Sequence, residues 1–386
     1  MLNFTSLPPL SLYIHLPWCL EKCPYCDFNS HRLRDQRLPE SEYVDALLRD
    51  LVPELPLIWG RLVETVFIGG GTPSLFSPEA LDRLFSGLRA MLNLRPGIEI
   101  TLEANPGTVE RGRFAEYRNL GINRLSIGIQ SFDNECLARL GRIHSRDDAV
   151  RAVEAVHDAG YETFNIDLMF GLPGQSPEMA AADLQQALAL APPHLSWYQL
   201  TLEPNTAFAA DPPVLPDDET IYQINQLGSE ILANAGLEQY EVSAYARPRH
   251  RCQHNLNYWQ FGDYVGIGAG AHGKITLPAE QRVLRRARHK HPQQFMRKAG
   301  QPEAYTETTV AEHELPFEFM LNALRLKEGF AVPLFFERTG LPISVIQDTL
   351  SRAEEDGLIE WDITRIRPTE RGWWHLNDLL QRFLPD

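Results

Sequence analysis

Short runs of aliphatic and β-branched residues alternate with longer segments of helical periodicity over roughly the first 250 positions. The short runs predict six strands: SLYIH (11–15), VETVFI (63–68), IEITLE (98–103), RLSIGI (124–129), TFNIDLM (163–169) and LSWYQLT (195–201). Apolar residues recur at helical spacing in the segments 40–54, 78–92, 146–159, 177–190 and 217–235. This alternation predicts parallel strands joined by crossover helices.

The number of these units limits how far the sheet can close. A full barrel of this type needs eight strands, and the sequence offers no two further strands before its composition changes. We therefore predict an α/β fold with a partial (β/α)6 barrel. Gly121, Gly160 and Gly236 stand where helices are expected to end.

The composition changes after residue 250. Residues 252–275 are rich in aromatic residues and glycine, and residues 276–312 are basic, polar and without clear periodicity. From residue 316 the pattern predicts three helices (317–326, 333–340, 343–357), two strands (358–362, 365–369) and a last helix (371–384), which is the order of a winged helix. We predict a barrel over 1–245, a linker region over 246–312, and a C-terminal α+β extension that ends in a winged-helix-like module over 313–386.

The formal net charge of −15 disfavours general binding to nucleic acid, because phosphate contacts need a basic face. The third helix of the winged-helix-like module is itself acidic, with Asp348, Glu354, Glu355 and Asp356. One basic segment, RVLRRARHKH (282–291), could meet an anionic ligand or a membrane surface, although a solvated helix or hairpin face is the simpler interpretation.

Apolar runs and cysteines indicate the compartment. No apolar run approaches the ~18 residues that span a bilayer, and the first residues lack the pattern of a secretory signal. Five cysteines, three of them crowded together, do not form the framework of a secreted disulfide protein. We expect a cytoplasmic protein.

The three crowded cysteines, Cys19, Cys23 and Cys26, follow the first predicted strand. A disulfide would leave one thiol unpaired, and zinc would take a fourth ligand, for which His15 or His31 is available. An iron–sulfur cube held by three thiolates would leave one iron open to a small molecule. The position of the loop favours the cube, because α/β barrels carry their chemistry after strands.

Polar residues also follow other predicted strands. GGGTPS (69–74) comes after the second strand, and Glu103, Gln130 and Asp167 stand at the ends of the next three. Bare glycine backbone can hold the charged ends of an amino acid, and a carboxylate can accept both hydroxyls of a ribose. A tight turn or a helix cap would explain each feature singly, but together on one face they indicate a ligand site.

Seven motifs carry a resemblance to a known family: CLEKCPYCDF (19–28), GGGTPS (69–74), LEANPG (102–107), IGIQSF (127–132), LGRIH (140–144), DLMFGLPGQ (167–175) and HNLNYW (254–259). On these motifs the chain resembles the radical S-adenosylmethionine (SAM) superfamily over nearly the whole barrel. More narrowly it is similar to the branch related to oxygen-independent coproporphyrinogen III oxidase and, within it, to the HemW haem chaperones.

The resemblance implies that Cys19, Cys23 and Cys26 ligate a [4Fe–4S] cluster whose fourth iron binds the amino and carboxylate groups of SAM. It also implies a set of residues around the cluster and SAM: Tyr13, Tyr25, Gly70, Gly71, Thr72, Glu103, Gln130, Arg142 and Asp167.

Two features distinguish members of this branch. The oxidases carry another cysteine two residues beyond the triplet and a longer N-terminal arm, whereas this chain has Phe28 at that position and reaches the triplet at residue 19. The HNLNYW motif marks the chaperone group and implies His254 as a haem-iron ligand, with Tyr258 or Trp259 beside the porphyrin and Cys252 as a rival ligand. A histidine satisfied within a core is the plain alternative.

We therefore expect a haem chaperone that holds haem and a SAM-ligated [4Fe–4S] cluster and delivers haem to respiratory proteins, including those at a membrane surface. The expected partners do not include nucleic acid, and a homodimer stays open. One alternative is an enzyme that decarboxylates coproporphyrinogen III. A remoter alternative is a DNA-binding sensor of redox state or SAM.

A further glycine motif, GAGAHG (268–273), satisfies the dinucleotide-binding pattern. The segment KITLP follows it instead of a helix, so the dinucleotide interpretation is rejected. We expect these glycines to let the backbone approach the open edge of the barrel or the haem.

Overall fold

All six predicted strands form, and their order along the chain is that of a βα barrel. The computed structural model describes residues 2–33, 37–108 and 112–385. The strands up to residue 199 are β1 (Leu10–Leu16), β2 (Trp18–Cys19), β3 (His31–Arg32), β4 (Leu62–Gly70), β5 (Asn93–Ala104), β6 (Arg124–Gln130), β7 (Thr163–Phe170) and β8 (His194–Gln199). Strands β1 and β4 to β8 lie side by side and parallel, which confirms the predicted α/β class.

Helices cover the outside of these strands. They are α1 (Glu40–Leu51), α2 (Pro78–Met91), α3 (Arg113–Asn119), α4 (Asn134–Arg139), α5 (Arg146–Asp158), α6 (Pro177–Ala189), α7 (Ala207–Ala210) and α8 (Asp218–Asn234). Their start points follow the capping chemistry of the sequence, as in α5, where Ser145 and Asp148 form a reciprocal capping box. Helix α2 buries Leu81, Leu84 and Leu88 against the sheet, the face that its periodicity predicted.

The helices depart from the prediction in two ways. Helix α1 ends at Leu51, three residues early, and the chain continues as a 3-10 helix over Val52–Ile58 that includes Pro53 and Pro56. Proline removes a backbone donor and crowds the preceding turn, so an α-helix cannot continue there. The short helix α3 was not predicted, because seven residues carry too little periodicity to be recognised.

The largest difference lies after residue 236, where the sheet continues at both edges. The additional strands are β9 (Glu238–Glu241), β10 (Ala244–Ala246), β11 (Asp263–Ile267), β12 (His272–Leu277), β13 (Arg282–Arg288) and β14 (Tyr305–Thr309). Within the described part of the chain, twelve strands form one sheet in the order β14-β13-β12-β11-β1-β4-β5-β6-β7-β8-β10-β9. Strand β11 joins β1 in parallel, so a seventh parallel strand extends the six-stranded barrel.

The basic segment 282–291 is mostly strand β13, and the expectation of a solvated face is wrong for two of its arginines. Arg286 and Arg288 are buried and form ion pairs with Glu54, and Arg288 also pairs with Asp50. These acidic residues belong to α1 and the 3-10 helix that follows it. The cations therefore attach the added strands to the barrel.

The C-terminal residues form the predicted winged-helix order. After α9 (Gln253–Trp259) and α10 (Pro292–Lys298) come α11 (Leu315–Ala323), β15 (Phe330–Ala331), α12 (Val332–Thr339), α13 (Gln347–Glu355), β16 (Ile359–Trp361), β17 (Arg365–Pro368), α14 (Glu370–Trp374) and α15 (Leu376–Gln381). The core of this module also includes Phe4 and Phe261, so it packs on the barrel instead of standing apart. Among the described residues, no helix is long and apolar enough to cross a membrane.

Candidate functional site

The cysteine loop lies against the carboxyl end of the central parallel strands. Cys19 ends β2, and backbone hydrogen bonds hold this segment on the loop after β4: Thr72 N–H donates to the Trp18 carbonyl at 2.7 Å and Gly71 N–H donates to the Leu16 carbonyl at 2.8 Å. All three thiols of the triplet are half-buried and free. The loop is thus anchored at its start and presents its sulfur atoms at the mouth of the barrel.

Gly71 is required by this contact. A Cβ at this position would lie 2.5 Å from the Trp18 carbonyl oxygen, which is backbone and cannot rotate away. The GGG run is predicted to let a ligand approach the backbone, and that interpretation stays a prediction. The close approach at Gly71 is made by the chain's own cysteine loop.

Three side chains around the thiols are ones that the resemblance implied. Arg142 Nη1 lies 3.5 Å from Cys23 Sγ, and its Nη2 donates to the Gly128 carbonyl at 2.6 Å. The Tyr25 hydroxyl is next to the Cys23 thiol. The Thr72 hydroxyl donates to Cys19, which partly offsets the rise in the thiol pKa that burial causes. A cation and hydrogen-bond donors beside sulfur favour thiolates.

The thiols are not arranged around one metal ion. Tetrahedral zinc holds sulfur at about 2.3 Å and so brings its thiolates to within about 4 Å of each other. In the part of the chain that the structure describes, no three His, Cys, Asp or Glu side chains converge in this way. His15, considered as a fourth zinc ligand, uses both ring nitrogens elsewhere, since Nε2 donates to the Asn29 carbonyl at 2.9 Å and Nδ1 accepts from the Tyr13 hydroxyl at 2.9 Å.

Two buried carboxyl groups stand at the neighbouring strand ends. Glu103 accepts the Gly70 N–H at 3.0 Å. Burial, together with the nearby charge of Asp167, raises the pKa of Glu103 to about 7. Asp167 accepts from Ser126 at 2.9 Å and from Asn165 at 2.7 Å, and burial raises its pKa as well. The site therefore offers carboxyl oxygens that can accept hydrogen bonds from hydroxyl groups. The raised pKa values limit the total negative charge that the two carboxyl groups carry.

Gln130 ends β6 at a register shift and has a left-handed backbone with φ of 73°. Its side-chain oxygen accepts the Tyr198 hydroxyl at 2.7 Å. Such a conformation is costly for a residue other than glycine and is found where structure or function demands it. The side chain is consequently fixed across the barrel mouth.

An open cavity of ≈ 380 Å³ adjoins this group and shares Tyr13, Gly70 and Glu103 with it. Tyr258 of α9 and Tyr264 of β11 also line it, and their rings meet edge to face at 4.6 Å. Phe28, His272 and Lys290 also line this cavity. A cavity of this size with aromatic walls and few polar groups is typical of a small-molecule site.

His254 does not line the cavity. Its side chain is buried, with Nδ1 2.8 Å from the Thr65 hydroxyl and the ring packed on Phe67 and Tyr258 at 5.1 and 4.9 Å between centroids. Burial and the charge of Arg124 lower its pKa to about 3. Its Nε2 has no hydrogen-bond partner within the described residues.

Two side chains near His254 also make contacts with other residues. Trp259 lies under the Arg325 guanidinium at 4.4 Å. Cys252 is buried with its Sγ 3.8 Å from a Glu99 oxygen. Cys136 is buried in α4 and has the position of a structural thiol.

The GAGAHG segment approaches the barrel edge, as expected from its glycines. Gly268 has φ of 107°, and a Cβ there would overlap the His15 carbonyl oxygen. Sequence reasoning did not identify His272 of this motif, nor Tyr264 and Lys290, as cavity residues. Only the pairing of β11 with β1 brings them to the site, and the signal available in the sequence was the histidine within the glycine motif.

Comparison with known proteins identifies the family. Residues 13–187 match the model of the Radical SAM superfamily, and residues 310–375 match the HemN C-terminal domain. The protein named heme chaperone HemW of Escherichia coli (strain K12) is 51% identical over 383 residues, which cover 99% of this chain and 100% of that protein. The protein of the same name from Haemophilus influenzae is 48% identical over 385 residues, 99% of each chain. This chain belongs to the HemW family.

The fold of the HemW family chain is shared with a solved structure. Coproporphyrinogen III oxidase (HemN) from Escherichia coli superimposes with a TM-score of 0.82 over 98% of this chain and 90% of that chain, at 24% sequence identity. The radical SAM fold, with its C-terminal extension, is confirmed by this match.

The superfamily implies a [4Fe–4S] cluster and SAM, and the residues of this HemW family chain fit them. Three half-buried thiols stand on one anchored loop, and Arg142 offers positive charge beside Cys23.

Proposed function

We propose that this chain is a haem chaperone, which binds haem together with a SAM-ligated [4Fe–4S] cluster and delivers the haem to respiratory proteins. The observation that carries the proposal is the 51% identity, over the full length of both chains, to a protein named heme chaperone HemW. The open aromatic cavity beside the cysteine loop supports it, because a planar apolar macrocycle needs such a surface.

In this proposal Cys19, Cys23 and Cys26 hold the cluster, and a cluster with one open iron supplies a docking point for SAM. Thr72 and Arg142 hold the sulfur atoms of the loop in place from two sides. The backbone of Gly70 and Gly71 would receive the methionine end of SAM, and Glu103 would accept from the ribose hydroxyls.

The other proposed SAM residues are already held in position by neighbouring side chains. Gln130 and Asp167 are fixed by Tyr198 and by Ser126, respectively. Tyr13 is held by His15, and Tyr25 covers Cys23. A site in which side chains are already held costs little conformational entropy on binding.

His254 is the proposed haem ligand of the HNLNYW motif. Its unpartnered Nε2 is consistent with a ligand role, but Phe67 and Tyr258 cover the ring. Haem iron can therefore reach His254 only if α9 moves relative to β4. That movement is part of the proposal for this residue.

Haem titration of the anaerobically reconstituted full chain tests the function. We expect saturable binding, followed by transfer to an apo-acceptor of the respiratory chain when the two are mixed. Absence of both would overturn the chaperone function. Equal binding by wild type and His254→Ala would remove His254 as a ligand and leave the function intact.

The enzyme alternative has its own assay. Incubation of the same preparation with coproporphyrinogen III, SAM and a reductant should yield no protoporphyrinogen IX, because Phe28 replaces the further cysteine of the oxidases. Multiple turnovers would instead assign the chain to the oxidases. A labelled-duplex binding assay should be negative, given the acidic third helix of the winged-helix-like module.

A further inference from the structure

His272 is an exposed histidine in the cavity that adjoins the cysteine loop. It begins strand β12, directly after the turn of the GAGAHG motif, and it lines the cavity with Tyr13, Tyr258 and Tyr264. No hydrogen bond from the described residues engages its imidazole, so both ring nitrogens are available. A free imidazole at the wall of an aromatic cavity is suited to ligation of a metal in a planar ligand.

Aromatic side chains form much of the cavity lining. Tyr13 stacks on Phe67 at 6.3 Å with 24° between the rings, and Tyr258 meets Tyr264 edge to face. On the outer side, Phe28 leaves 60% of its side chain exposed, although it belongs to an ordered loop. An exposed aromatic residue at a cavity mouth gains apolar contact when a flat macrocycle enters.

Lys290 supplies a positive charge that can pair with a propionate of haem. Its carbonyl is held by Asn29 at 2.8 Å, which places the residue at the cavity rim, and its side chain is exposed. The ammonium group forms no ion pair with any residue that the structure describes. Lys22, by contrast, donates to the carbonyls of Phe28 and Ser30 at 3.1 and 3.3 Å. Lys290 is therefore available to a propionate.

His272 and His254 differ in how accessible their imidazole rings are to haem. An axial ligand approaches the iron perpendicular to the porphyrin plane, so the ring needs open space on the side of the macrocycle. His254 is covered by Phe67 and Tyr258, whereas His272 faces an open cavity. In the conformation of this structure, haem can meet only His272 of the two.

We propose that His272 is an axial ligand of haem iron in this cavity and that Lys290 pairs with a haem propionate. This inference rests on the proposed haem-chaperone function and supplies a ligand from outside the HNLNYW motif. His254 can serve as a ligand only after α9 has moved.

Resonance Raman spectroscopy with Soret excitation, together with haem titration of the full chain, tests the ligand. We expect His272→Ala to lose the iron–histidine signature and to bind haem at least about tenfold more weakly, because even an outer partner of a metal ligand is worth about that much. The imidazole is exposed, so the variant should retain the wild-type unfolding midpoint. An unchanged Raman spectrum and affinity in His272→Ala would overturn the proposal.

His289→Ala is the matched control. This histidine directly follows strand β13. Its Nε2 donates to the Glu303 carbonyl at 2.7 Å, and it does not line the cavity. It should bind haem like the wild type. An equal loss in His289→Ala and His272→Ala would show adventitious binding by surface histidines and would also overturn the proposal.

Haem dimethyl ester, used as a second ligand, distinguishes the effect of the Lys290 charge from the effect of the bond between histidine and iron. Lys290→Ala should weaken binding of haem by about two- to fivefold, the value of an exposed ion pair, while the iron–histidine signature stays. Haem dimethyl ester, which has no propionate charge, should bind wild type and Lys290→Ala equally. Equal weakening for both ligands would remove Lys290 from the proposal.

The proposed function and the assignment of His272 are overturned by different results. If wild type binds neither haem nor its dimethyl ester, the proposed function itself is wrong. If wild type binds haem and His272→Ala matches it, the function stands and the assignment of His272 is wrong.

Discussion

Arg142 connects the cysteine loop to the sheet: its Nη1 lies 3.5 Å from Cys23 Sγ while its Nη2 donates to the Gly128 carbonyl of β6 at 2.6 Å. One side chain thus connects the Cys23 thiol to β6. The guanidinium also brings positive charge beside that thiol.

Removal of this connection should loosen the loop. We expect Arg142→Ala to lower the free energy of unfolding by about 1.5–3 kcal/mol, the value of hydrogen bonds to a charged group, and to reduce iron per chain after reconstitution. Iron analysis and urea unfolding measure the two effects. Arg139→Ala is the control, since Arg139 donates to Pro173 and lies on the same segment without touching a thiol. Full iron content in Arg142→Ala would contradict the prediction.

Gly71→Ala tests the close approach of the two loops. A Cβ would lie 2.5 Å from the Trp18 carbonyl oxygen, so β2 must shift. We expect a loss of about 1–3 kcal/mol of stability, as for other overpacked sites, together with poor cluster retention. At Gly107 an added Cβ would meet the side chains of Ile143 at 3.3 Å and His144 at 3.5 Å, with no backbone atom among these nearest contacts. Gly107→Ala should therefore retain the cluster, and identical iron content in both variants would refute this account of Gly71.

Glu103 makes the stability of the cluster-free chain depend on pH. Its pKa is raised from 4.5 to about 7 in the folded chain. Between these values the folded state keeps a proton that the unfolded state releases, so stability falls as pH rises through this window. The stability advantage of Glu103→Gln over wild type should grow across the window by on the order of 3 kcal/mol. Urea unfolding at a series of pH values measures it, and a difference that is independent of pH would show that Glu103 stays ionised.

Asn29 fastens the cysteine loop to the added strands. Its Nδ2 donates to the carbonyls of Ala269 and Lys290, both at 2.8 Å. Asn29→Ala should cost about 1–3 kcal/mol, because the carbonyl of the buried Ala269 loses its donor, and should speed amide hydrogen exchange around residues 27–31 and 268–272. Asn234→Ala, at the exposed end of α8, should change neither. Unchanged exchange in Asn29→Ala would show that other contacts hold the loop.

Much of the barrel could be predicted from local pattern because each unit is local. The run TFNIDLM predicts a strand by itself, and the structure shows Thr163–Phe170 as a strand. The same reasoning found the cysteine loop, Glu103 and Asp167, since the ends of parallel strands meet at one edge whatever the details of packing. Their identity as cluster and SAM residues came from resemblance and stays a proposal.

Contacts between distant segments could not be predicted in this way. Nothing in the sequence near Asp263 shows that its strand pairs with β1, more than 240 positions earlier. The partners of Arg286 and Arg288 lie in α1 and the 3-10 helix after it, so a segment that is basic in sequence is neutralised in space.

The sequence by itself determined the alternation of strands and helices, the grouping of three thiols after β1 and the resemblance to a family, because these depend on spacing along one stretch of chain. Only the tertiary structure decided which histidine is accessible. His254 stands in the more conspicuous motif, yet Phe67 and Tyr258 enclose it, whereas His272 opens to the cavity. The reason is physical: burial depends on what packs against a side chain, and those neighbours come from parts of the chain far away in sequence.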